Sequence, residues 1–473
     1  MIQAERHNPA RFWIFAGIFT ACLSLSLLEQ SNYYLLIPFG MLGVYLGWNE
    51  PRSVFYLMLF TLPLSTELRV TGELSTDFPD ELLMVLMTGL VICHLAFRPV
   101  MLSRKHLTHP LMLLLFLSLL WTCVAVSGTD YPLLSLKFLA AKSWYIGAFL
   151  FAPLIFMETR RMIYAIKLAL VAIVLTVVYT MVKHAIDGFS FASINEAVRP
   201  FFRNHVNYSS MLVCFIPIAY TFYRMSKSRT WKRTMNFVLI IMLAALFFSY
   251  ARGAWLALAA GVCGWWLIKK RMLIVAYLAF ILITIGLIAW VQHEKRYLQY
   301  AHDYRSTIYH EDFKEHLRAT YEMKDVSTAE RFYRWIAGVR MVEERPIHGF
   351  GPGTFYSNYK GYAIPAYKTW VSKNEEQSTV HNYFLLITLE QGIPALIIFL
   401  LLTGAMLWYA QKLYHQNRDR ISKIIALNCG VILVMILTVN FLSDLIETDK
   451  VGSLFLLCLA SLVSVSTDER SPV

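Results

Sequence analysis

Three groups of residues carry side chains whose types and order could do chemistry on an anionic substrate. The first is Ser249-Tyr250-Ala251-Arg252-Gly253-Ala254-Trp255-Leu256, a short link between two apolar runs. An arginine beside the hydrocarbon is costly, about 2.5–3.5 kcal/mol at a span centre, and tends to mark function. It can also snorkel to headgroups. The second group is Glu330-Arg331-Phe332-Tyr333-Arg334-Trp335, followed by Pro346-Ile347-His348-Gly349-Phe350-Gly351-Pro352-Gly353. Arg331 and Arg334 could grip an anion or form the wet face of a loop helix. The glycines could build a tight turn or expose backbone N–H groups to an anion. The third is His381-Asn382-Tyr383, opening an apolar run that continues through Glu390-Gln391-Gly392-Ile393-Pro394. Histidine titrates near working pH, so His381 could be a general base, a cap or an interface residue. Glu390 is expected inside a span, where the cost of burial turns it towards the bundle interior as a hydrogen-bond partner or a site residue.

Other polar residues are weaker candidates for a donor or acceptor groove. Arg199, Arg203, His205 and Asn207 precede an apolar run, Asn382 follows the histidine, and Asp444, Glu447 and Asp449 lie between the last two runs. Lys137 and Lys142 belong to another connection. His293, His302, His310 and His316 lack HExxH spacing, so no metal site is expected. The seven cysteines all fall in apolar runs, which argues against a disulfide framework and against zinc.

The elements that position these residues follow from composition. The 473-residue chain is 57% hydrophobic and 16% charged, with net charge +12 and mean hydropathy +0.51. That is too apolar for a water-soluble core. Apolar runs near 12–28, 33–48, 53–66, 82–97, 110–127, 143–157, 162–182, 205–223, 235–249, 253–268, 272–291, 381–410, 422–442 and 451–466 predict an all-α polytopic bundle. The count is about 14, or 12 if the short third and sixth runs are re-entrant. Alternate loops hold about 21 Lys/Arg against about 8 in the short loops opposite. Both termini are thereby expected in the cytoplasm. The expected organisation is an N-terminal bundle over 1–291, a folded periplasmic loop domain over 292–380, and C-terminal helices over 381–473. The positive charge follows membrane orientation, so no nucleic-acid partner is expected.

With Arg252, Arg331 and His381 all on the outer side of this topology, the chain resembles the bacterial O-antigen ligase and polymerase superfamily. Arg252 to Leu256 is similar to that family's Arg-x-x-x-Leu signature. Glu330-Arg331 to Trp335, with the glycine turn, is similar to its extracytoplasmic-loop motif, and His381-Asn382-Tyr383 through Glu390 and Gly392 to its His-Asn helix start. The likeness covers roughly residues 200–440. It implies a GT-C-like membrane glycosyltransferase without a cofactor or metal. The donor it implies is a glycan on undecaprenyl pyrophosphate, and the acceptor a lipid A-core, a second repeat unit or a protein. Carried onto this chain, the resemblance makes Arg252 and Arg331 pyrophosphate ligands, with Arg334 beside them, and His381 the base that activates the acceptor hydroxyl. A flippase or other transporter is the competing class; it should show internal repeats and several polar residues in mid-span, whereas Glu390 is nearly alone there.

Overall fold

The computed structural model describes residues 9–28, 34, 36–69, 75–97, 102–294, 326–364, 372–374 and 377–468. His302, His310 and His316 lie outside the described residues, as do residues 295–325 of the expected loop domain. The helices are α1 (Pro9–Leu28), α2 (Leu36–Asn49), α3 (Pro51–Thr61), α4 (Asp80–Phe97), α5 (Pro110–Ser127), α6 (Pro132–Phe156), α7 (Thr159–Ile186) and α8 (His205–Met225). They continue with α9 (Arg229–Phe248), α10 (Arg252–Lys269), α11 (Leu273–Gln292), α12 (Val326–Glu344), α13 (Tyr383–Gln416), α14 (Arg420–Phe441) and α15 (Asp449–Thr467). A two-stranded antiparallel hairpin, β1 (Thr66–Arg69) with β2 (Ser75–Phe78), pairs Thr66 with Phe78 and Arg69 with Ser75.

The chain is therefore an all-α polytopic membrane protein. Each of the fourteen apolar runs forms helix over most of its length, and ten helices among the described residues are long and apolar enough to cross a membrane. Two boundaries differ from expectation. The third run is cut to eleven residues, because the chain leaves α3 for the hairpin. The sixth starts at Pro132 and is a 25-residue helix with a π-helical segment at Gly147–Phe151.

α15 sits at the centre, with 83% of its span buried, whereas α11 is at the rim with none of its span buried. Lipid tails are as apolar as leucine, so membrane helices associate through close packing at small residues. α10 and α14 meet in this way. A Cβ on Gly261 would fall 2.1 Å from the Met435 side chain, and one on Gly264 would fall 3.1 Å from Val434. Gly430 packs against Ile268 and Ala410, which draws in α13. At the rim, the Tyr277 hydroxyl ties α11 to α13 by donating to the Leu400 carbonyl at 2.9 Å.

α13 is broken at Gly392, where φ is 81° and ψ 171°. Pro394 has no N–H, so the Glu390 carbonyl loses its helical donor. Ile393 N–H turns away and donates to the Pro346 carbonyl at 2.8 Å, which frees Leu389 as well. The glycine turn fills both vacated positions: Phe350 N–H donates to the Leu389 carbonyl at 3.0 Å and Gly351 N–H to the Glu390 carbonyl at 2.8 Å. Trp121 Nε1 donates to the Gln391 carbonyl at 2.8 Å from α5. Broken helices are tolerated at membrane depth only when such groups are re-satisfied. Glycine is required at both contacting positions, since a Cβ would come within 1.9 Å of Ile347 O at Gly392 and 2.3 Å of the Glu390 backbone at Gly349.

Candidate functional site

The site is assembled where α13 begins and α14 ends. Asn382 caps α13 by accepting from Leu385 N–H at 3.0 Å, as an N-cap asparagine does. Tyr383 N–H donates to the Ser443 carbonyl at 2.9 Å, which locks the start of α13 to the chain leaving α14. His381 just before the cap has φ of 51°, and its N–H donates to Thr379 Oγ1 at 3.2 Å. This backbone holds the imidazole with Nδ1 3.9 Å from Asp444 Oδ1. The separation exceeds hydrogen-bond length, so the two groups face each other without a direct bond.

Arginines of α12 set the local electrostatics. Burial, followed by the nearby charges of Arg331 and then Arg334, pushes the His381 imidazole down to about 3. Burial raises Asp444, while a hydrogen bond from Thr379 and the charge of Arg331 act in the opposite sense. At neutral pH His381 is thus an uncharged imidazole with a ring nitrogen able to accept a proton. Arg331 is half-buried and acts on both groups.

Arg334 plays a different part. It is buried, with Nη2 3.5 Å from Glu330 Oε2 and Nη1 donating to the Thr379 carbonyl at 3.1 Å. Trp335 Nε1 donates to the Val380 carbonyl at 2.9 Å, and the Ser372 hydroxyl bonds to Glu330. These contacts clamp α12 to the segment that carries His381. Arg252 is the first residue of α10, and its neighbour Gly253 lies against Leu442, where an added Cβ would be 3.6 Å from the side chain. Arg252 therefore stands beside the helix end that presents Asp444.

Glu390 and the glycine turn meet each other in the structure. Glu390 is buried, Oε2 accepting from Gly353 N–H at 2.9 Å and Oε1 from Phe355 N–H at 3.0 Å. The turn presents its N–H groups to the protein's own Glu390 side chain. Thr129 and Ser135 hold the other side of the turn, donating to the Phe350 and Pro352 carbonyls at 2.9 and 2.8 Å. Arg345 adds an ion pair to Asp130 at 3.1 Å.

The weaker candidates gather elsewhere on the same rim. Arg199 pairs with Glu196 and Arg203 with Glu67, both at 3.1 Å and largely exposed. His205 Nδ1 lies 2.8 Å from Asn195 Oδ1, and Asn207 N–H donates to Asn204 in the first turn of α8. These contacts tie the 190–204 loop to α8 and the hairpin. Sequence reasoning missed Lys450, which is buried and donates to the Ser65 carbonyl at 3.3 Å and to the Phe201 carbonyl. Its neighbour Asp449, one of the weaker groove candidates, is buried at the first turn of α15. No group of three or more His, Cys, Asp or Glu among the described residues could hold a metal ion.

Fold and site together define a polytopic α-helical membrane protein in which a neutral histidine, an aspartate and arginines meet at one end of the bundle. A family model described as O-antigen ligase matches residues 237–400, a stretch that includes Arg252, Arg331, His381 and Glu390. The chain is also similar to the O-antigen ligase of Salmonella typhimurium strain LT2, with 26% identity over 222 residues, covering 45% of this chain and 49% of that protein. It thus spans about half the length of the curated relative it matches. The two matches support placing the chain in the O-antigen ligase superfamily.

Proposed function

We propose that this protein is an O-antigen-ligase-like glycosyltransferase of the bacterial inner membrane. It transfers a glycan en bloc from undecaprenyl pyrophosphate to a hydroxyl of lipid A-core, or a similar acceptor, at the periplasmic face. The observation that carries this reading is His381 held against Asp444 under the field of Arg331. A sugar hydroxyl is a poor nucleophile, and a positioned base contributes about 10²–10⁴-fold. Neutral His381 takes the acceptor proton as the hydroxyl attacks the anomeric carbon. Asp444, facing Nδ1, steadies the imidazolium that forms. One displacement inverts the configuration.

The leaving group is an anionic pyrophosphate. Arg331 and Arg252 meet its growing charge, and charge-assisted hydrogen bonds are each worth about 1.5–3 kcal/mol. That stabilisation stands in for a divalent metal. Donor binding also offsets the positive field on His381, so proton affinity rises when the donor is in place. Arg334 supports the site by holding α12 to the His381 segment.

A polymerase, with a second lipid-linked repeat as acceptor, or a protein O-oligosaccharyltransferase would use the same chemistry. Reconstituted protein supplied with undecaprenyl-pyrophosphate glycan is offered lipid A-core, a second lipid-linked repeat and a peptide in turn. The ligase reading predicts glycosylated lipid A-core. Product on only one of the other acceptors reassigns the class, and no product on any of them contradicts the transferase reading.

A further inference from the structure

At the end of the bundle opposite His381, α3, α7, α8, α14 and α15 line a partly open apolar groove. Leu59, Ile166, Phe215, Ile432 and Leu457 form much of its wall. Thr221 and Asn428 also line it, and they satisfy each other through hydrogen bonds of 2.8 and 3.1 Å. The lining runs from Phe215 to Met225 on α8 and from Ile421 to Ile432 on α14. At 1.5 Å per residue that is a depth of about 15–17 Å, roughly half the ~30 Å hydrocarbon core. The groove therefore has the depth of one leaflet.

It also ends at a charged rim. Met225, Ile421 and Ile163 belong to the terminal turns of α8, α14 and α7, and beside them stand exposed Arg160, Arg161, Arg224 and Arg420, with half-exposed Lys423. A smaller pocket shares Ile425 and Ser461 with the first and reaches Glu158 and Thr159 on the same rim. Arg160 acts electrostatically on Asp419 at the start of α14, so the rim is continuous between α7 and α14. Glu158, 3.9 Å from Arg161, and Asp419 are the acidic members, and the rim keeps a positive excess. By loop charge this is the cytoplasmic end.

We propose that the groove binds an anionic glycerophospholipid of the cytoplasmic leaflet, its acyl chain between α8 and α14 and its phosphate at Arg160, Arg420 and Lys423. One-leaflet depth fits the chain, and the positive rim fits the head. An isoprenoid whose charged head sat at His381 would leave this rim unmatched.

The test uses full-length protein, delipidated in a maltoside detergent and titrated with phosphatidylglycerol or phosphatidylcholine of identical acyl chains. Native mass spectrometry counts retained adducts, and the thermal midpoint is followed in parallel. Phosphatidylglycerol is expected to bind with roughly ten-fold preference, given the attraction of each basic residue for an anionic headgroup. The triple change Arg160→Gln, Arg420→Gln, Lys423→Gln should bring it down to the phosphatidylcholine level. Ala169→Leu, which fills the groove wall, should weaken both lipids together; Ser461→Leu repeats that test from α15 if the first variant is poorly folded. Equal binding of the two lipids by the wild type, or undiminished binding by both kinds of variant, overturns the proposal. Displacement of phosphatidylglycerol by undecaprenyl phosphate reassigns the groove to an isoprenoid and also overturns it. None of these readouts depends on transfer at the other end.

Discussion

Replacing Glu390 with glutamine tests how the broken helix and the glycine turn hold the site. Both carboxylate oxygens accept backbone N–H groups, from Gly353 at 2.9 Å and Phe355 at 3.0 Å. A carboxamide offers one acceptor oxygen and turns an NH₂ towards the second N–H. One backbone hydrogen bond, about 0.5–1.5 kcal/mol net, is lost, and the buried N–H left facing a donor costs about 1–3 kcal/mol more. Because the turn and helix relax together, the expected net cost is about 2–4 kcal/mol. Glu390→Ala removes both acceptors and should cost more. In a chain of this size the shift in thermal midpoint is about 1–2 °C per kcal/mol. The glutamine variant should therefore melt several degrees lower in the intact detergent-solubilised protein, and the alanine variant lower again. Glu390 lies nine residues beyond His381, about 13 Å along the helix, so it cannot take part in proton transfer directly. Transfer should slow through misplacement of the turn and of α12, with the pH profile unchanged in shape. Wild-type melting and wild-type rate in both variants would refute the staple. An altered acid limb with unchanged melting would place Glu390 in the chemistry instead.

Two further outcomes follow from the electrostatics. Since His381 is held down to about 3, the acid limb of kcat/KM that it controls should lie well below 6.5. Arg331→Gln should move that limb upward, though only in part, because burial is the larger cause. The folded state favours neutral His381, so its contribution to stability is complete above about 6.5 and is lost as pH falls towards 3. His381→Gln should flatten that acid loss in a melting series across this pH window. Finally, EDTA should leave the transfer rate intact in the reconstituted system; a strict requirement for a divalent ion would overturn charge stabilisation by arginine alone.

Much of the architecture was legible because a span is a local property. Twenty apolar residues announce a helix wherever they stand, and the runs from 12–28 to 451–466 are all helical over most of their length. Ends were less legible: Pro132 starts α6 well before the run near 143, because Lys137 and Lys142 interrupt the apolar stretch without breaking the helix. The partnerships of the site are non-local and could not be read. Nothing in the spacing of His381 and Asp444 says that Tyr383 N–H will bond the Ser443 carbonyl and bring them together. Glu390 was left between two readings because the N–H groups it accepts belong to a turn more than thirty residues earlier. Arg334 was different: Glu330 lies four residues before it, and i,i+4 spacing is the mark of a helical ion pair, but burial of that pair depends on the 372–380 segment folding over α12.

The central claim is that His381 is the base in a glycan transfer. Its most direct test is His381→Ala in proteoliposomes given undecaprenyl-pyrophosphate glycan and lipid A-core, alongside wild-type protein inserted to the same level and with the same melting temperature. The account predicts that transfer falls by about 10²–10⁴-fold while donor binding persists, since Arg331 and Arg252 remain. Transfer at the wild-type rate would contradict it.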